Sequence, residues 1–220
     1  MHPGFWLERW QKNEIGFHQA EINFHLQKFW AQLGVSGQVL VPLCGKSRDM
    51  LWLRAQGHPV LGVEISALAV QSFFTENELQ PTLTRDGAFE RWDSDGLTLL
   101  CGDFFDLNAA QLGAVAGVYD RAALIALPAE LRQRYARHLC QLLPPSAPLL
   151  LVTMEYEQAQ MPGPPFAVSE AEVHDLYSAN YQVNLLYSKD ILAEQPRFRE
   201  RGLTRLEERV YHLLRFAKYV

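Results

Sequence analysis

The strongest constraint on the fold is a repeated alternation of short apolar runs with amphipathic stretches. Val39-Leu40-Val41 is too short for a helix and uniformly apolar, the pattern of a strand buried on both faces. The turn Pro42-Leu43-Cys44-Gly45-Lys46-Ser47 follows, then a helix over about Asp49–Gln56 stopped by Gly57. A second run, Pro59 to Val63, ends at Glu64, and Ser66 is placed to cap a helix whose apolar face carries Val70, Phe73 and Phe74. Strand-like runs recur at Leu97–Leu100, Val115–Tyr119 and Leu149–Thr153, with a helix over about Glu130–Leu142 between the last two. Ser169 and Glu172 have capping-box spacing. Strands alternating with helices predict an α/β, doubly wound, mostly parallel sheet of about seven strands with helices on both faces. The late runs Val183–Tyr187 and Arg209–Leu214 lack an intervening helix and predict an antiparallel edge.

The 220 residues suffice for one core, so one domain over 1–220 is expected, with a lid segment and helix over 1–34 and the sheet core over 38–220. The N-terminal part is aromatic: Phe5, Trp6, Trp10 and Phe17. No clean helical period joins Phe5 to Gly16, and Gly16 is a hinge candidate for a lid. Ile22, Leu26, Phe29, Trp30 and Leu33 have helical spacing, ended by Gly34.

Composition narrows the partners. The net charge of −5, without a basic block, argues against nucleic acid. No apolar run approaches the roughly 18 residues of a membrane span, and the N-terminus lacks a signal-peptide pattern. Cys44, Cys101 and Cys140 are few, odd in number and widely spaced, which fits a reducing cytoplasm rather than a disulfide framework. His18 and His25 lack ligand-spaced partners, so no metal is expected. No heptad run demands a partner chain, and a monomer is expected.

In a doubly wound sheet, ligands bind beyond the carboxyl ends of the strands. Glu64 offers two acceptor oxygens to the hydroxyls of a ribose there. Gly45-Lys46-Ser47 resembles the end of a P-loop, but Leu40 stands where that motif needs glycine. A dinucleotide turn needs several glycines to approach a pyrophosphate, and only Gly45 is present. S-adenosylmethionine has no phosphate and tolerates such a turn. Composition and spacing thus reach an adenosine-type cofactor. An NAD-dependent oxidoreductase and a non-catalytic nucleoside-binding module remain alternatives. At later strand ends, Asp103 and Phe104 are candidates for the adenine, and Arg121, after Asp120, for the cofactor carboxylate or an anionic substrate. Taken singly, each has a plainer reading: a solvated strand end at Glu64, a turn cap at Asp103, and a local ion pair at Asp120 and Arg121.

Several segments carry a resemblance over essentially the whole chain. They include Phe5-Trp6-Leu7-Glu8-Arg9-Trp10, Gly16-Phe17-His18-Gln19, Val41-Pro42-Leu43-Cys44-Gly45-Lys46-Ser47 and Gly62-Val63-Glu64-Ile65-Ser66. Cys101-Gly102-Asp103-Phe104-Phe105, Tyr119-Asp120-Arg121-Ala122-Ala123-Leu124, Met161–Phe166 and Pro196–Gly202 extend the match. Together they resemble the bacterial thiopurine S-methyltransferases, within the S-adenosylmethionine-dependent methyltransferases of Rossmann-like fold. The resemblance implies that Trp10, Leu43, Glu64, Phe104 and Arg121 contact S-adenosylmethionine, with Asp103 at the adenine through its backbone. It implies a lid with Phe17 facing the acceptor, and S-adenosylhomocysteine as product. The implied acceptors are aromatic or heterocyclic thiols, and selenium or tellurium species in bacteria. An aromatic thiol ionises near neutral pH, so positioning by Arg121 and Asp120 is expected rather than strong general-base catalysis. Arg48 departs from the apolar residue expected in bacterial relatives, which bears only on the local helix surface.

Overall fold

The computed structural model describes residues 3–216, which group into two compact units that divide between Tyr119 and Asp120. In the first unit, α1 (Pro3–Gln11) and α2 (Phe24–Phe29, extended by a 3-10 turn over Trp30–Leu33) precede β1 (Gln38–Pro42). Then follow α3 (Asp49–Ala55), β2 (Val60–Glu64), α4 (Ala67–Glu76), β3 (Thr82–Asp86), β4 (Phe89–Ser94) and β5 (Leu97–Cys101). A 3-10 turn over Phe104–Asp106, α5 (Ala109–Leu112) and β6 (Val115–Arg121) complete the sequence. The strand order is β3-β4-β5-β2-β1-β6. β1 is parallel to β2 and β6, and β2 to β5. Every residue of β2 and all but the first of β1 are buried, as strands covered on both faces require. Ser66 caps α4 as expected, its hydroxyl accepting from the Ala69 N–H at 3.3 Å, and Val70, Phe73 and Phe74 are buried.

Two elements differ from expectation here. Pro3–Gln11 is helical, although no clean period announced it. Its aromatic residues are organised by Phe17 beyond the helix, not by a stripe along it. The second is the β3–β4 hairpin, which brings the strands among the described residues to nine instead of about seven. β3 is almost wholly exposed, so Thr82-Leu83-Thr84-Arg85-Asp86 lacks an apolar signal. The hairpin is held by β4, where Phe89 is fully buried and Trp92 stacks on Phe74 at 5.8 Å.

The second unit holds α6 (Ala123–Ala126), α7 (Ala129–Leu142), β7 (Leu149–Glu155), α8 (Glu170–Tyr177), β8 (Tyr181–Asp190), α9 (Pro196–Glu200) and β9 (Glu207–Arg215). β9 lies between β7 and β8, antiparallel to both as expected, although a short helix, α9, does stand between β8 and β9. The Ser169 hydroxyl accepts from the Glu172 N–H at 3.1 Å, which is half of the expected capping box. The Glu172 carboxylate instead takes both bonds from the buried Arg132 guanidinium, at 2.6 and 2.9 Å, joining α8 to α7. A bidentate pair with a buried cation outcompetes one local backbone bond.

Among the described residues, no helix is long and apolar enough to cross a membrane.

Candidate functional site

The geometry begins at the end of β1. Leu43 and Gly45 both have left-handed backbones, with φ of +47° and +54°. The glycine adopts this freely, while the leucine carries a strain of about 1–3 kcal/mol. A β-carbon on Gly45 would lie 3.2 Å from Trp10 Cζ2, so the indole rests directly on this turn. Trp10 is buried, and Phe17 packs edge-on against both Trp10 and Trp6, at 5.7 and 5.5 Å.

Glu64, at the end of β2, lies beside the same turn. Its Oε2 accepts from the Gly45 N–H at 2.9 Å and its Oε1 from the Ser66 N–H at 2.8 Å. The side chain is only 6% exposed, and burial raises its pKa against the lowering effect of these N–H groups. The carboxylate keeps acceptor capacity, because it offers about four lone-pair sites and the backbone N–H groups of Gly45, Ser66 and Ile65 do not fill them all. The Gly102 N–H donates to the Glu64 carbonyl at 2.9 Å, which ties the Asp103–Phe104 turn to the same strand end. Asp103 Oδ1 accepts from the Phe105 N–H at 2.9 Å and caps that turn, while Phe104 is buried.

The neighbouring polar groups are committed elsewhere. Lys46 pairs with Glu76 at 2.6 Å instead of presenting an ammonium to a phosphate. Cys44 is buried and packs against Gly62, where a β-carbon would meet its sulfur at 2.8 Å. Burial, with Glu64 nearby, holds its thiol well above the ordinary range, so it is neutral and no nucleophile.

The first unit therefore brings together Trp10, Phe17, Leu43, Glu64, Asp103 and Phe104. The chain identifies its relatives directly. A family model for thiopurine S-methyltransferase matches residues 1–216. The chain belongs to the thiopurine S-methyltransferase family. The Nitrosospira multiformis thiopurine S-methyltransferase is 53% identical over 216 residues, covering 97% of this chain and 98% of that protein. The Azotobacter vinelandii enzyme is 51% identical over 217 residues, covering 98% and 100%. Solved structures agree on the fold. A Burkholderia thailandensis 1,6-didemethyltoxoflavin-N1-methyltransferase with bound S-adenosylhomocysteine superposes with a TM-score of 0.63 at 16% identity, over 96% of this chain and 87% of that one. An S-adenosylmethionine-dependent methyltransferase from Anabaena variabilis reaches 0.61 at 11% identity, over 97% and 95%. Membership of a methyltransferase family sets aside the oxidoreductase and non-catalytic alternatives.

In the second unit, Asp120 and Arg121 end β6. Asp120 is fully buried, and its Oδ2 accepts from the Tyr135 hydroxyl at 2.6 Å. Its Oδ1 accepts from the N–H groups of Ala123 and Leu124, each at 3.2 Å. The carboxylate thus fixes the start of α6, across Ala122 at φ +90°. Arg121, immediately before this strained residue, is half-buried. Burial raises the Asp120 pKa to about 6, against the lowering effect of its three donors. Nothing in the spacing announced Tyr135 as a partner, because it lies on the apolar face of α7.

Proposed function

We propose that this chain transfers the methyl group of S-adenosylmethionine to the sulfur of a thiopurine-type aromatic or heterocyclic thiol. The observation that carries the reading is Glu64 at the end of β2, held by the Gly45 and Ser66 N–H groups under Trp10. A buried carboxylate with spare acceptor capacity suits a pair of ribose hydroxyls. A turn with one glycine and a committed lysine suits a cofactor without phosphate. Leu43 and Phe104 supply apolar surface for the nucleoside, with Asp103 at the adenine through its backbone. The sulfonium cofactor supplies an already activated methyl group.

The protein's part is then to bind, orient and exclude water. Trp10 closes over the cofactor turn, and Phe17, packed on Trp10 and Trp6, faces the acceptor. Arg121 favours the anionic thiolate, and Asp120 orients Arg121 by fixing the backbone that follows it. No protein group in this scheme must remove a proton in the slow step, since the acceptor arrives ionised. The whole chain acts as one methyltransferase domain, a reading supported by the family match over 1–216. A monomer working in a reducing cytoplasm fits three free cysteines, two of them buried.

The deciding assay incubates the protein with S-adenosylmethionine and a panel of aromatic thiols, a selenol and tellurite, with the methylated product read by mass spectrometry. A thioether from the aromatic thiols is expected; a panel without product would overturn the proposal. Phe17→Ala should raise the thiol KM about tenfold, by removing apolar contact of about 1–1.5 kcal/mol. Affinity for S-adenosylhomocysteine, by calorimetry, should stay within about twofold. Equal losses of both would reduce Phe17 to packing.

A further inference from the structure

Residues 12–23, between α1 and α2, form no regular element. Their local backbone bonds are single turns, such as Glu14 N–H to Arg9 O at 2.8 Å and His18 N–H to Ile15 O at 2.8 Å. This stretch carries Phe17 and connects to the helix that bears Trp10. Such a segment needs an anchor at its far end, because turns alone do not fix its position.

That anchor is at the start of α3, directly after the cofactor turn. Asp49 is 1% exposed, and its Oδ1 accepts from the backbone N–H of Asn23 at 2.8 Å. Its Oδ2 accepts from the hydroxyl of Tyr119 on β6, at 3.1 Å. Asn23 is itself fixed: its side chain caps α2 by accepting from the His25 and Leu26 N–H groups. One residue earlier, Arg48 Nη1 donates to the carbonyl of Ala20 at 2.9 Å. Two adjacent residues at the start of α3, Arg48 just before it and Asp49 at its first position, therefore hold two points, 20 and 23, on the segment that leads back to Phe17. The arginine at 48, unexpected from the family pattern, finds its use in this contact.

We infer that Arg48 and Asp49 are positioning residues that clasp the lid segment to the start of α3, so that Phe17 and Trp10 are held over the turn at Gly45. The inference rests on the reading of that turn as the methyl-donor site. The clasp joins one end of the lid to the chain just past the turn read as the donor site, residues 43–45. Loosening it lowers the fraction of molecules with the lid in place. Apparent affinity falls by that fraction, while turnover at saturation is preserved.

The test compares Asp49→Ala, Arg48→Met and Tyr119→Phe with the parent chain; alanine is chosen because an asparagine oxygen would still accept from the Asn23 N–H. Hydrogen exchange without ligand should be about tenfold faster at residues 12–23 in Asp49→Ala, and less so in Arg48→Met, while amides of β1 and β2 stay protected. The thiol KM should rise about three- to tenfold in Asp49→Ala with kcat nearly unchanged. Tyr119→Phe removes the core-side bond and leaves the Asn23 bond in place, so it should lower the melting temperature without altering lid exchange or KM. Arg48 is exposed, so Arg48→Met reports on the clasp even where Asp49→Ala does not fold. Identical exchange and KM shifts in Asp49→Ala and Tyr119→Phe, or unchanged lid exchange in Arg48→Met, would overturn the clasp. The site reading is judged separately, by whether S-adenosylhomocysteine slows exchange around Trp10 and Gly45 in the parent chain.

Discussion

Replacing Glu64 by glutamine weakens S-adenosylhomocysteine binding by about 10- to 100-fold, since hydrogen bonds to a charged group are worth roughly 1.5–3 kcal/mol. The amide is isosteric, keeps one oxygen, and turns two donor hydrogens toward groups that also donate. Either the Gly45 N–H or the Ser66 N–H then faces a donor, and the remaining acceptor capacity is halved. Glu64→Ala goes further. It leaves both buried N–H groups without their acceptor, at about 1–3 kcal/mol each, so it lowers stability as well as affinity. Calorimetry on Glu64→Gln separates the two effects, because that variant should remain folded. Unchanged affinity there would remove Glu64 from the donor site.

The second large effect concerns pH. Burial raises the Asp120 pKa from the ordinary 3.8 to about 6. Between those values the folded protein keeps a proton at Asp120 that the unfolded chain has already released. Stability from this group is therefore fully present at low pH, declines as pH rises from about 4 to about 6, and is level above that. A shift of about two units corresponds to about 3 kcal/mol. Asp120→Asn cannot ionise, and its amide oxygen can still accept from Ala123 and Leu124. Urea unfolding of both proteins at pH 4, 5, 6 and 7 should show Asp120→Asn gaining roughly 2.5 of those 3 kcal/mol relative to the parent across the series. A constant difference at all four values would show that Asp120 ionises at its ordinary pKa. The price of a buried carboxylate is set against its placement: it holds the turn that carries Arg121, where Ala122 is strained at φ +90°.

Both effects centre on residues that the sequence marks by position alone. Glu64 follows an apolar run and precedes a good helix cap, so a strand end with an acid is legible without coordinates. Asp120 is legible in the same way. Their partners are not. The Gly45 N–H reaches Glu64 across 19 residues, and Tyr135 reaches Asp120 across 15, from the buried face of α7. Periodicity reports which face of an element is apolar; it carries no record of which buried donor meets which buried acceptor. The β3–β4 hairpin was missed for a related reason. Its outer strand is exposed, and its stability comes from Phe89 and Trp92 packing on elements distant in sequence.

The turn after β1 shows where the division falls. Residue types and spacing by themselves determined the parallel core, the antiparallel late strands, and a turn unsuited to phosphate, because those properties depend on local pattern and on the residues at one bend. Only the tertiary structure decided that Lys46 is consumed by Glu76, that Cys44 is a neutral filler against Gly62, and that Trp10 lies on Gly45. The clasp at Arg48 and Asp49 belongs to the same class. Each of these depends on two distant segments competing for one place, and a linear pattern does not encode which of them wins.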